Sequence, residues 1–232
     1  MTAADSPVSS VHSTEAMKLT RWAFFSLLAA AIPMAIAGDV RSVHLWALAA
    51  GCSAVALYAV HIVSPELARE RYHPPSPGLD GGALRWVRLL VLATIVFALL
   101  DSGRWHVSAP MATGWRTVGL ILFLSGLAMF VYPMSVNRFF SSVVRIQDER
   151  VRTAVDDVVT ALVRHPGYLG MLLVGATMPL ALGSWWALLP GSALVACGLR
   201  RVWVEDRFLA ASLPGYREYA ARVRYRLLPG IW

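Results

Sequence analysis

Residues 84–100 read LRWVRLLVLATIVFALL, and beyond Arg88 the stretch carries no charge and a single hydroxyl, on Thr94. An apolar run opened by two arginines is the pattern of a membrane helix, which needs roughly 20 mainly apolar residues and fewer where charged ends snorkel to the interface. Comparable runs occur at 22–37, 43–63, 117–132, 168–182 and 185–204. Only Gly183 and Ser184 separate the last two, which predicts a tight helical hairpin. The whole chain agrees: 57% of its 232 residues are hydrophobic and 15% charged, against about a quarter charged in an ordinary soluble domain. The expected fold is therefore all-α: a polytopic integral membrane protein of about six transmembrane helices, the last two paired, with a cytoplasmic amphipathic helix and a C-terminal tail.

Charge placement tests that count, because cytoplasmic loops collect Lys and Arg. With the N-terminus inside, 18 of the 21 basic residues fall on the cytoplasmic side, and only Arg41, Arg104 and Arg116 face out. Both termini are then cytoplasmic. The net charge of +7 suits anionic headgroups, and no nucleic-acid module is present. Membrane lipids are thus expected partners, and nucleic acid is not. Lys18, Arg21 and the run ending Ala35-Ile36-Ala37 also have the outline of a signal peptide, but a retained first helix is the expectation.

Three regions follow. Residues 1–16, rich in Ser, Ala and Thr, read as a disordered tail; 17–114 hold the N-terminal membrane helices; 115–232 hold the chemistry. Cys52 and Cys197 fall inside expected spans and read as small apolar fillers, with no metal-ligand spacing around them. The connections at 64–83 and 101–110 are expected to be irregular, and Trp105, Trp115, Trp185 and Trp186 fit an outer aromatic belt. Gly119 and Gly126 permit a helix-mediated homodimer.

Ionisable residues are almost missing from the middle of the first four spans, which argues against an ion-coupled transporter. They gather at 137–164 and again at 200–226. Between these groups, VRTAVDDVVTALV (151–163) repeats its apolar residues at helical spacing and predicts an interfacial helix, with Asp156 and Asp157 on the solvated face. Next comes LVRHPGYLG (162–170). In its plain reading, Arg164 snorkels, His165 caps, Pro166 opens the next helix and Gly167 and Gly170 allow close packing. The tail tips the balance toward function. Glu205 and Asp206 are adjacent where the last span should end, beside a basic, aromatic segment, and two acids there are costly without partners.

NRFFSSVVRIQ (137–147), VRHPGYLG (163–170), the Glu205–Asp206 pair and LPGYREYAARVRYRLLPGIW (213–232) together resemble the isoprenylcysteine carboxyl methyltransferase family and its bacterial relatives, within a wider group that includes phospholipid N-methyltransferases. The likeness covers residues 115–232; the first half resembles the family only as a set of hydrophobic helices. It implies an S-adenosylmethionine-dependent methyltransferase with a cytoplasm-facing cofactor pocket and a lipophilic substrate drawn from the bilayer. On that footing His165, Pro166, Tyr168, Gly170, Glu205, Asp206 and Tyr219 are the expected cofactor-binding residues. Glu205 and Asp206 suit its amino or ribose groups, and the tyrosine rings suit a sulfonium cation or adenine. Asn137 and Arg145 are expected at the substrate, and Arg145, Arg164, Arg201 and Glu205 are the catalytic candidates.

Methyl transfer is an in-line displacement, so the protein chiefly aligns groups and excludes water. A carboxylate nucleophile is already ionised at neutral pH and needs no base, only a guanidinium to hold it. A phospholipid amine would need a proton acceptor, for which Glu205 is placed. The residues do not decide between these acceptors; the family that the tail resembles implies carboxyl O-methylation. One departure stands out: where relatives carry Gly-Pro-Tyr, this chain has Val158-Val159-Thr160. The rival readings are a nicotinamide-dependent membrane reductase of similar helical layout and a non-catalytic membrane subunit.

Overall fold

The computed structural model describes residues 7–63, 67, 81–136 and 162–232. Among these, every regular element is helical: α1 (Pro7–Ala37), α2 (Val43–Ile62), α3 (Gly81–Leu100), α4 (Thr113–Val131), a short α5 (Pro133–Val136), α6 (Pro166–Leu182), α7 (Leu188–Ser212) and α8 (Tyr216–Arg222). Among the described residues, four helices are long and apolar enough to cross a membrane, at Ala16–Ala37, Val43–Ile62, Gly82–Trp105 and Thr113–Val131. α6 is apolar but has only 17 residues, a length of about 26 Å at 1.5 Å per residue. α7 has 25 residues, yet Arg200, Arg201, Glu205, Asp206 and Arg207 leave only its first half uncharged. Among the described residues the expectation of six spans is met for four; the two further spans expected at 168–182 and 185–204 correspond to the shorter α6 and to α7, which is half charged.

Two boundaries differ from expectation. α1 begins at Pro7, inside the stretch expected to be disordered; proline at the first helical position already holds a helical φ and gives up no needed N–H. The 101–110 connection is regular in its first half, where α3 runs on into a π-helical turn, Asp101–Trp105, closed by His106 in the left-handed region at φ 51°. Gly103 lets this turn pack directly on the end of α1, since a Cβ there would collide with the Ala37 backbone. The expected amphipathic helix at 151–163, and with it Asp156, Asp157 and the Val158-Val159-Thr160 departure, lies almost wholly outside the described residues.

One core joins both halves of the sequence. Met34 and Ala37 of α1, Leu45 and Leu48 of α2, Leu99 of α3, Phe123 of α4, Met178 of α6 and Leu194 of α7 belong to a single buried cluster, with Cys52 and Cys197 packed against it. α4 crosses α6 closely. A Cβ on Gly170 would lie 2.5 Å from the Phe130 nitrogen, and Gly126 and Gly119 face 170–174 and 180–181 in the same way. The glycines singled out for a homodimer are therefore consumed inside the chain. α6 and α7 run antiparallel, with Gly191 against Pro179 and Gly198 against Leu172.

At the 182–188 end of this pair the bundle is latched by polar groups. Asp101, 1% exposed, accepts hydrogen bonds from the Ser108 amide (2.9 Å), the Ser108 hydroxyl (2.6 Å) and the Ser184 hydroxyl. Arg104 donates to the Ile36 and Ala35 carbonyls at 2.6 and 2.8 Å, satisfying acceptors that the end of α1 leaves open. Trp105, Trp115, Trp185 and Trp186 are exposed around this end.

Candidate functional site

The other end of α6 and α7 holds the ionisable residues. Pro166 sits at the first position of α6, with His165 as its N-cap at φ −127° and ψ 59°, outside the helical region. Just before the helix the backbone is unpaired by α6 itself, and the C-terminal tail supplies the partners. The Arg164 and His165 amides each donate over 2.9 Å to the carbonyls of Tyr225 and Arg226. The tail is held in turn by a closed turn in which the Arg226 and Leu227 amides donate to the Trp232 carbonyl at 2.9 and 3.1 Å. Arg226 also lays its guanidinium over the Trp232 ring, 5.3 Å from the centroid. Four segments that are distant in sequence thus meet: 164–168, 201–206, 216–219 and 225–232.

Asp206 is their centre, 4% exposed. Its Oδ1 accepts from Tyr216 Oη at 2.8 Å and lies 3.3 Å from His165 Nε2 and 3.2 Å from an Arg164 terminal nitrogen. Oδ2 accepts from Arg226 Nε at 2.7 Å. Burial by itself would raise this carboxyl's pKa; the hydrogen bonds from His165, Arg226 and Tyr216, with the Arg164 charge, overcome it and hold Asp206 far below the usual carboxylate range. Tyr216 moves the opposite way, because burial and the neighbouring Asp206 anion push its phenol well above the ordinary value. An ionised Asp206 accepts from His165 Nε2, which leaves Nδ1 as the second nitrogen of that ring.

Beside this network, Tyr168 Oη donates to Glu205 Oε2 at 2.7 Å. Arg201, 6% exposed, places its guanidinium carbon 5.9 Å from the Tyr168 ring centroid. His165 meets the same ring edge-on at 5.8 Å. Helical periodicity on α7 accounts for the arrangement: Arg201 and Glu205 are four residues apart and share a face, while Asp206 is turned by about 100° toward Arg164, His165 and Tyr216. Arg164 Nε is buried and finds no acceptor among the described residues.

Of the residues singled out in the sequence, Arg164, His165, Pro166, Tyr168, Arg201, Glu205 and Asp206 fall at this end. Gly170 does not serve it, since its open side is filled by α4. Tyr219 stands behind Tyr216, with ring centroids 5.7 Å apart, in a small apolar cluster with Leu209 and Val223. Asn137 and Arg145 lie outside the described residues. Tyr216 and Arg226 escaped the sequence reading. The available signal was Asp206 itself: a buried acid demands several donors, and the tail was the place to look for them. No family model matches the chain, and no curated protein matches it either.

Proposed function

We propose that this chain is an S-adenosylmethionine-dependent integral-membrane methyltransferase that O-methylates the carboxylate of a lipophilic, isoprenoid or acyl substrate at the cytoplasmic face of a bacterial-type inner membrane, with α6 and α7 embedded as a hairpin. One observation carries the reading: the residues on which the resemblance rests, 164–168, 205–206 and the tail, converge on a single buried polar cluster although about 60 residues separate the outermost of them in sequence. An apolar bundle needs no such cluster to fold, and ionisable groups at a membrane boundary mark function.

The donor set fits the cofactor. Bound S-adenosylmethionine supplies a methyl group on a sulfonium, an electrophile that needs no metal or base to react with a carboxylate. Arg201 is buried and Arg164 keeps a buried Nε without an acceptor, as a carboxylate-gripping pair requires. Tyr168 offers a ring face to a cation, and Glu205 is the acid assigned to the ligand's amino or ribose groups. Asp206 takes a different role: its four donors make it a positioning residue that fixes the His165 ring and the Arg164 fork. Were the acceptor an amine, its proton would have to go to Glu205, whose Oε2 is already engaged by the Tyr168 hydroxyl at 2.7 Å, whereas a carboxylate needs no base. That favours the carboxylate.

The test is thermal unfolding of the detergent-purified chain with S-adenosylhomocysteine and, separately, NADPH. A ligand that binds only the folded state raises the melting temperature with its concentration. S-adenosylhomocysteine is expected to do so, NADPH is not, and Glu205→Ala is expected to remove the shift while leaving the unliganded melting temperature near wild type. Stabilisation by NADPH instead would establish the reductase reading, and no shift with either would leave a non-catalytic subunit.

A further inference from the structure

The described tail has two faces. Tyr216, Tyr219, Val223 and Leu227 are buried, at spacings of three and four residues, against α7 and the cluster. Opposite them Tyr225, Leu228 and Ile231 are exposed, Ile231 at 78%. The turn that presents them is closed, with the Ile231 and Trp232 amides donating to the Leu228 carbonyl at 3.2 Å and Gly230 at φ 83°. Its apolar tip is therefore built into the fold. Around it the surface charge is one-sided: Arg200, Arg207, Arg217, Arg222 and Arg224 are exposed, and Glu218 is the single exposed acid from residue 200 onward. On α7 the Arg207 guanidinium lies 4.1 Å from the centroid of the exposed Trp203 ring, a pairing suited to headgroup depth, where tryptophan rings concentrate.

From this combination we infer that the C-terminal segment 217–231, with Trp203 and Arg207, docks on the surface of an anionic lipid bilayer, inserting Tyr225, Leu228 and Ile231 while the arginines contact headgroup phosphates. Charge complementarity selects the occupant, since juxtamembrane arginines gain from anionic leaflets and not from zwitterionic ones. The inference does not depend on methyl transfer. It has a structural consequence: the docked turn holds Arg226, and through it Asp206 and the carbonyls that pair with 164–165.

The experiment places a fluorophore at Ile231→Cys, with Cys52→Ala and Cys197→Ala, in the full chain. The protein is reconstituted in nanodiscs of phosphatidylcholine alone or mixed with phosphatidylglycerol, each with a lipid nitroxide near the headgroup. Quenching is expected in the anionic discs, weakened by high salt and nearly lost in phosphatidylcholine. Replacing Arg222→Gln and Arg224→Gln together is expected to lower the docked-to-undocked ratio roughly thirty-fold. Equal quenching in both lipids overturns the inference, as does none in either. The lipid and salt comparisons stand on the unsubstituted tail, so a poorly folded double variant does not remove the test.

Discussion

Four donors on one buried carboxylate make Asp206 a sensitive point of the described structure. Removing the charge leaves Arg164 and Arg226 facing a site built for an anion, and breaking one partner of a buried pair costs about 3–5 kcal/mol. Asp206→Asn is accordingly expected to lower the melting temperature more than Glu205→Ala, which removes a carboxylate hydrogen-bonded by the Tyr168 hydroxyl. The pH dependence follows from the depressed pKa. A carboxyl whose folded pKa lies below its unfolded value of about 3.9 stabilises fully above that value and loses the contribution as pH falls toward the folded one. Stability of the wild type should therefore drop below about pH 4, and the Asp206→Asn chain should lack that part of the drop, which unfolding measured across acid buffers will read. Residue types announced this centre only in part. The adjacent acids and the Arg-His-Pro stretch were legible because charge at a membrane boundary is costly, whereas Tyr216 and Arg226 are ordinary tail residues until the chain folds back.

Among the described elements, α4 and α6 cross with their backbones in direct contact. A Cβ at Gly170 meets the Phe130 nitrogen and the Gly126 carbonyl, backbone atoms that cannot rotate away. Gly170→Ala should force the helices apart and destabilise by about 1–3 kcal/mol. Gly114→Ala, with open space around its Cβ, should be neutral or stabilising by less than about 1 kcal/mol; thermal unfolding of the two side by side isolates packing from helix propensity. At the far end, Ser184→Ala removes one of three donors to the buried Asp101. The expected cost is about 1–3 kcal/mol for a partner lost from a buried acceptor, seen as earlier proteolysis at the 183–187 connection. Here the glycine pattern could be read in advance as close packing, but not its partner, because spacing on one helix says nothing about which neighbour comes to meet it.

Over the whole molecule, the latch at Asp101 and the cluster at Asp206 occupy opposite ends of α6, which at 17 residues covers about 26 Å. If the arginine-rich end faces the cytoplasm, a membrane-impermeant maleimide should label Trp105→Cys in intact cells and Arg224→Cys only after permeabilisation. Labelling of both from one side would rule out that topology. What the amino-acid order determined by itself is the helical, apolar character of the chain and the segregation of its charge, since lipid leaves a backbone no alternative to internal hydrogen bonding and each charge must find an end. Where helices start and stop was partly legible: Pro166 opens α6 and Gly183, in the left-handed region, ends it at 17 residues, whereas nothing in the sequence announced that α3 continues into the π-helical turn at Asp101–Trp105. Only tertiary structure decided that Gly119, Gly126 and Gly170 serve the interior, that Asp206 is a structural centre while Glu205 reaches Tyr168, and that the tail closes over residues 164–165. Those outcomes depend on which buried donors and small residues meet across 40 to 80 positions of sequence, and composition carries no record of such meetings.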